Sequence, residues 1–245
     1  MASTSKKKKQ LDTDMYSKIV REHSILWDIL EIAKKEYNFP VDSVLEIGSG
    51  TGNYLTDFLI KKERAGEIEK FYAIEPVDEF FERSKRSVVR LSRTDATAHE
   101  YFGGNPFDII TFSFVYNHIH PDKKKTFLNN VYSNLRDEES RLVVIESFIP
   151  EYEEGKKSEA EEKHMQAHKD YADLTDNSYI ARYLKKVEKG DYDDLLIGPY
   201  KSTLKEFVGY LDQVGFDEIT VQKFTGKSKS DWDTLGYHVI TAVKE

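Results

Sequence analysis

The chain has 245 residues, 39% of them hydrophobic and 13% aromatic, enough to bury the core of one mid-sized domain beneath a surface rich in its 33% charged residues. The absence of cysteine excludes disulfides, thiolate metal sites and cysteine nucleophiles, and no apolar stretch reaches membrane-spanning length or follows Lys6 to Lys9, so a soluble, cytoplasmic protein without a membrane partner is expected. The net charge is −8, and setting aside the four lysines of residues 1–10 leaves −12 on the rest, a balance that repels a phosphate backbone and argues against nucleic acid as a partner.

Residues 1–10 read as a disordered basic tail ahead of a single domain over 11–245. Met15, Ile19, Ile25, Leu26, Leu30, Ile32 and Ala33 recur near helical spacing, predicting one or two helices within 11–38 before Pro40 ends the run. Short apolar runs then alternate with amphipathic stretches. The runs at 43–47, 71–74, 88–91, 108–115 and 141–148 read as strands, and helices are expected near 53–63, 78–86, 96–102 and 121–135. That alternation predicts right-handed βαβ crossovers and a mostly parallel sheet covered on both faces. From 151 to 201 the rhythm breaks into a segment dense in charge and tyrosine, too long for a structureless loop, which is expected to hold helices and to act as a lid. Thr203 and Glu206 have capping-box spacing, so a helix is expected from there to Val214 with Gly215 as its stop. Two closing strands follow, at 218–224 and 237–243, joined by a Gly/Lys/Ser-rich turn at 225–230.

The chemistry concentrates at Val44-Leu45-Glu46-Ile47-Gly48-Ser49-Gly50-Thr51-Gly52, a strand that runs into a glycine-rich turn and then a helix. Glycines there let a ligand approach the backbone at the carboxyl end of a central strand, where open sheets bind ligands. Glu75 falls 23 residues after Gly52, at the end of the next strand, where a carboxylate can accept both hydroxyls of a ribose. The spelling is G-x-G-x-G preceded by an acid, which differs from the G-x-G-x-x-G of dinucleotide folds.

This segment resembles motif I of the class I S-adenosylmethionine-dependent methyltransferases, E/D-x-G-x-G-x-G, at every fixed position. Ile74-Glu75-Pro76 resembles that family's second motif, Thr94-Asp95-Ala96 falls where the family places an acid near adenine, and Phe107-Asp108-Ile109-Ile110 resembles its fourth motif. The turn Leu135 to Ser140 departs from the family's L-x-P-G-G spelling. The resemblance implies an α/β, Rossmann-like class I methyltransferase sheet of order 3-2-1-4-5-7-6, with N-terminal helices and a helical lid insert at 151–201. It implies S-adenosyl-L-methionine as cofactor, held by Glu46, Gly48, Ser49, Gly50, Gly52, Glu75, Pro76, Asp95, Ala96 and Phe114, with Tyr16 of the N-terminal helices as a further contact. His23 and Trp27 lie on the same leading helices. It also implies transfer of a methyl group to an O or N atom of a small-molecule acceptor. Val115-Tyr116-Asn117-His118 resembles a segment of small-molecule members, and His118 is the candidate general base for a protonated acceptor.

In the insert, Tyr171, Tyr179, Tyr183, Tyr192 and Tyr200 suggest an aromatic acceptor pocket, with Tyr171 and Arg182 as candidate substrate contacts, Arg182 for a carboxylate. His164 and His168 share a helix face at i and i+4, expected to be solvated, and no metal site is expected. Three alternatives stay open on the sequence alone: a tRNA or protein methyltransferase, a non-catalytic S-adenosylmethionine-binding partner protein, and a nicotinamide-dependent oxidoreductase.

Overall fold

The computed structural model describes residues 13–192, 194–224 and 235–245. The basic tail at 1–10 and the turn at 225–230 lie outside the described residues. Seven strands form one sheet: β1 (Val41–Ile47), β2 (Ile68–Ile74), β3 (Arg90–Ser92), β4 (Ile109–Ser113), β5 (Arg141–Ser147), β6 (Phe216–Lys223) and β7 (Tyr237–Lys244). Their spatial order is β3-β2-β1-β4-β5-β7-β6, as the resemblance implies. β3, β2, β1, β4 and β5 pair in parallel, and β7 runs antiparallel between β5 and β6.

The helices are α1 (Thr13–Glu22), α2 (Ser24–Ala33), α3 (Leu55–Arg64), α4 (Asp78–Ser84), α5 (Pro121–Asn134), α6 (Lys157–Leu174), α7 (Ser178–Glu188) and α8 (Leu204–Val214). The helix expected at 96–102 does not form. Asp95 takes the amide of Thr97 into a single turn, and the positive φ of Phe102, Gly103 and Gly104 breaks any helical path beyond it.

Period-two alternation divides the core between the faces of the sheet. Val44, Ile109, Val143, Ile145 and Val239 pack with α2, α3, α6 and α7, whereas Leu45, Ile110, Leu142, Val144 and Ile240 pack with α5 and α8. Central β1 is buried at every residue from Ser43 to Ile47, whereas edge strand β6 is buried only at Phe216. Because β1, β2, β4 and β5 are parallel, their carboxyl ends meet along one rim, where the glycine turn, Glu75, Phe114 and Phe148 follow.

The capping box of α8 forms as its spacing predicts. Thr203 Oγ1 accepts the amide of Glu206 at 3.1 Å, Glu206 Oε2 accepts the amide of Thr203 at 2.9 Å, and Gly215 ends the helix at φ 103°. Thr203→Ala is therefore expected to lower unfolding stability by about 1 kcal/mol in urea titrations while Thr203→Ser changes it little; equal losses in the two variants would show that the hydroxyl is not the source.

Candidate active site

The glycine turn is held in place by its neighbours on the rim. The amides of Gly48 and Ser49 both donate to Ile74 O, at 2.8 and 3.2 Å, which ties the turn to the end of β2. Glu75 is buried, accepting the Gly50 amide at Oε2 (2.7 Å) and the Val77 amide at Oε1 (2.9 Å). Burial pushes its carboxyl up to about 7 against the lowering effect of those two bonds. Ser84 of α4 donates to Gly50 O at 2.6 Å, so a third element grips the same turn. Gly48, Gly50 and Gly52 all have positive φ, and a Cβ on Gly48 would stand 2.5 Å from Val115 Cγ2.

Beside the turn lies a cavity of about 40 Å³. Glu46, Gly48, Ser49, Gly50, Thr51, Asn53 and Tyr54 form its floor and one wall. Ser113 and Phe114 at the end of β4, Tyr16 and Val20 of α1, Leu26 of α2 and Leu196 of the insert close the remainder. Glu46 is 1% exposed, and its Oε2 has no hydrogen-bond partner among the described residues. Burial raises its carboxyl to about 8, with the Thr56 hydroxyl opposing and the charge of Glu75 adding to the rise. A buried carboxylate oxygen left unpaired is costly, and groups of that kind concentrate at functional sites. Phe114 itself holds φ 56°, a left-handed conformation that is strained for a bulky residue.

Of the residues proposed from sequence to hold a cofactor, Tyr16, Glu46, Gly48, Ser49, Gly50 and Phe114 converge on the cavity. Gly52 backs onto Ser84, and Glu75, though not in the cavity lining, is bonded to the turn through the Gly50 amide. Pro76 is exposed beside Glu75. Asp95 spends its carboxylate on the backbone amide and hydroxyl of Thr97, and Ala96 O accepts the Tyr101 hydroxyl at 2.6 Å. His118 is half-buried on the 3-10 turn Tyr116–His118, four residues beyond the cavity's Phe114 and outside the cavity lining.

The insert corrects several expectations. Tyr171 is buried with its hydroxyl on Ser24 Oγ at 3.1 Å, and Arg182 is exposed, packed over the ring of Tyr179 with Nε on Ser178 O; neither reaches the cavity. Tyr183 accepts the Leu195 amide and Tyr200 packs against His120, so none of the insert's tyrosines lines the cavity and its contribution is Leu196. His164 and His168 are fully buried against the sheet, because that face of α6 is the one turned inward. Trp27 packs edge-on against Tyr54. Tyr54, which belongs to no motif, also lines the cavity, and its position two residues beyond Gly52 is the local signal for it, since the turn brings its neighbours along. Val20, Leu26 and Leu196 carry no local signal, since apolar residues on helices and loops look alike until they are packed.

A family model described as a methyltransferase domain matches residues 19–187, and the chain belongs to that family. A curated relative from Staphylococcus carnosus (strain TM300), named as an uncharacterized methyltransferase, is 30% identical over 112 residues, covering 44% of this chain and 49% of the relative. The chain thus spans about half the length of that relative. Among solved structures, a TehB-like SAM-dependent methyltransferase from Corynebacterium glutamicum is similar over 95% of this chain and 98% of its own, with TM-score 0.54 and 12% identity. The N-methyltransferase NodS from Bradyrhizobium japonicum, in complex with S-adenosyl-L-homocysteine, covers 91% of this chain and 86% of its own, with TM-score 0.54 and 12% identity. A SAM-dependent methyltransferase from Methanosarcina mazei covers 86% and 95%, with TM-score 0.54 and 15% identity. At these identities the likeness establishes the fold, which is that of the class I S-adenosylmethionine-dependent methyltransferases.

The raised carboxyl of Glu46 has a sign that can be checked. In the unfolded chain it ionises near 4.5, whereas in the folded protein it keeps its proton up to about pH 8, so its burial costs increasing stability as pH rises through that window. Glu46→Gln removes this ionisation and is expected to raise the melting temperature of the ligand-free protein more at pH 8.5 than at pH 5. Equal shifts at both pH values would show that Glu46 ionises normally.

Proposed function

We propose that the chain is an S-adenosylmethionine-dependent methyltransferase acting on an O or N atom of a small-molecule acceptor. The observation that carries this reading is the unpartnered, buried Glu46 Oε2 beside the glycine turn. A carboxylate there does not suit a pyrophosphate, and it does suit the ammonium of an amino-acid-bearing cofactor. In this reading Glu46 takes that ammonium, the turn Gly48–Gly52 lies along the cofactor, and Glu75 uses its remaining lone pairs for the ribose hydroxyls. Bound there, the cofactor supplies an activated methyl group on a sulfonium centre.

The chain's own work is then alignment and exclusion of water. Tyr16, Tyr54 and Phe114 present aromatic surface beside the turn, which favours a positively charged centre as well as a flat acceptor. His118, on the turn that begins beyond Phe114, takes the proton of a phenol or ammonium acceptor. Enclosure by α1, α2 and Leu196 supports a small acceptor over a macromolecular one. Small-molecule pockets measure roughly 300 Å³ or more, and the cavity of about 40 Å³ is walled by α1 and α2, so an outward shift of these helices on binding fits this reading.

Calorimetric titration with S-adenosylmethionine, S-adenosylhomocysteine and NADH tests the reading. The two sulfur compounds are expected to bind and NADH to leave the baseline unchanged. Glu75→Ala is expected to weaken binding about tenfold or more through loss of hydrogen bonds to a charged group. Failure of folded wild-type protein to bind either sulfur compound would overturn the cofactor assignment.

A further inference from the structure

His23, His164 and His168 are completely buried. His23 is the single residue between α1 and α2. Its ring stacks on Tyr171 of α6 at 4.4 Å between centroids and meets Tyr237 of β7 edge-on at 6.0 Å, with Nε2 3.3 Å from the Tyr237 hydroxyl. His168 stands edge-on to the same Tyr237 ring at 5.7 Å and to His164 at 4.9 Å. His164 Nε2 reaches Ser147 Oγ at 2.7 Å and Leu235 O at 3.1 Å. The three rings therefore fasten the α1–α2 corner, α6 and the sheet to one another.

The polar atoms of this junction are left short of partners. Among the described residues, Nδ1 of His23, Nδ1 of His164 and both ring nitrogens of His168 have none. In a well-packed interior such groups are exceptional, and each needs a physical explanation. A neutral imidazole can be tolerated there, whereas a protonated one would be a buried charge without a counterion. Among the described residues, Asp194 is the acid whose charge favours a protonated His164, and it is already engaged by Lys201. From β7 there is the neutral Tyr237, and from α6 Tyr171 and the imidazoles themselves. From the segment after α7 comes Lys201, a cation paired with Asp194 at 3.4 Å, and Asp194 also accepts the Ile197 amide. From β5, Glu146 is occupied by the amides of Tyr116 and Ser147.

We propose that His23, His164 and His168 form an acid-sensitive clasp that keeps the α1–α2 corner and α6 closed on the sheet, and that protonation releases the corner and opens the cavity beside the glycine turn. The link to the cavity is direct, since Tyr16 and Val20 on α1 and Leu26 on α2 are its walls and His23 lies between them. Calling the opened space a cofactor site rests on the proposed function; the opening itself does not.

The direction follows from burial, which pushes His23 down to about 3, His164 to about 4 and His168 well below its ordinary 6.5; Lys201 adds to the effect on the last two, while the Leu235 carbonyl and the charge of Asp194 oppose it at His164. For a base whose closed-state pKa is lowered, closure is fully favoured above 6.5 and is lost as pH falls from there towards the closed-state value. Each histidine that regains its ordinary pKa on opening multiplies the open population by roughly tenfold at pH 5.5.

Native-state amide hydrogen exchange, corrected for intrinsic rates and read by mass spectrometry at pH 7.5, 6.5 and 5.5, tests this on the full chain. Residues 13–33 are expected to lose protection as pH falls, while β1 and β4 keep theirs. His168→Leu and, as a second variant against misfolding, His168→Phe are each expected to reduce the opening at pH 5.5 relative to pH 7.5 by about tenfold. Protection of 13–33 with the same pH dependence in wild type and both variants would overturn the clasp, and so would loss of protection in β1 and β4 at the same rate. Parallel S-adenosylhomocysteine titrations separate the two ideas. Absence of binding at pH 7.5 with an intact exchange response refutes the cofactor reading alone, whereas binding without a pH-dependent exchange response refutes the clasp alone.

Discussion

Glu75 reaches from the end of β2 to the Gly50 amide, and the rest of the site depends on that bond. A glycine turn with three positive φ values has little intrinsic reason to hold one shape, because glycine pays the largest entropy for being ordered. The carboxylate, the two amides on Ile74 O and the Ser84 hydroxyl on Gly50 O together confine it. Once the turn is confined, Glu46, two residues before Gly48, is committed to the interior. Among the described residues its Oε2 finds no hydrogen-bond partner, and Glu46 is part of the cavity lining. The site is thus a balance between one acid that is satisfied and one that is not.

The same logic of satisfied and unsatisfied groups runs through the cover of the site. α1, α2 and the insert bury large apolar surface, and Ile19, Ile29, Ile180 and Leu184 share one core with the sheet. Three imidazoles sit within that core with nitrogens left over. An apolar side chain of similar size would pack there without that cost. Their presence gives the cover a dependence on proton concentration that hydrocarbon cannot have. The cavity beneath it is small, and α1, α2 and Leu196 are among its walls.

Much of this was legible in the chain. The strand-turn-helix at 44–63 and the acid at 75 are local patterns, and each formed where spacing placed it. So did the capping box at Thr203 and Glu206, because caps are closed by atoms three residues apart. The helix expected at 96–102 failed where Asp95 and the left-handed residues 102–104 offered the backbone a different local solution. The insert was legible as helices and not as contacts. Spacing shows that His164 and His168 share a face, and it cannot show whether water or β7 lies against that face.

By itself, then, the sequence determined the elements, their parallel crossovers, the glycine turn and the two acids that flank it. These follow from hydrophobic periodicity and from bonds between residues near in sequence. Tertiary structure alone decided that Tyr54, Leu26 and Leu196 wall the cavity, that Tyr171 and Arg182 stand apart from it, and that three histidines are sealed inside with ring nitrogens unpaired among the described residues. Those outcomes depend on which surfaces meet across the fold, and burial, unlike periodicity, is a property of the whole packed chain.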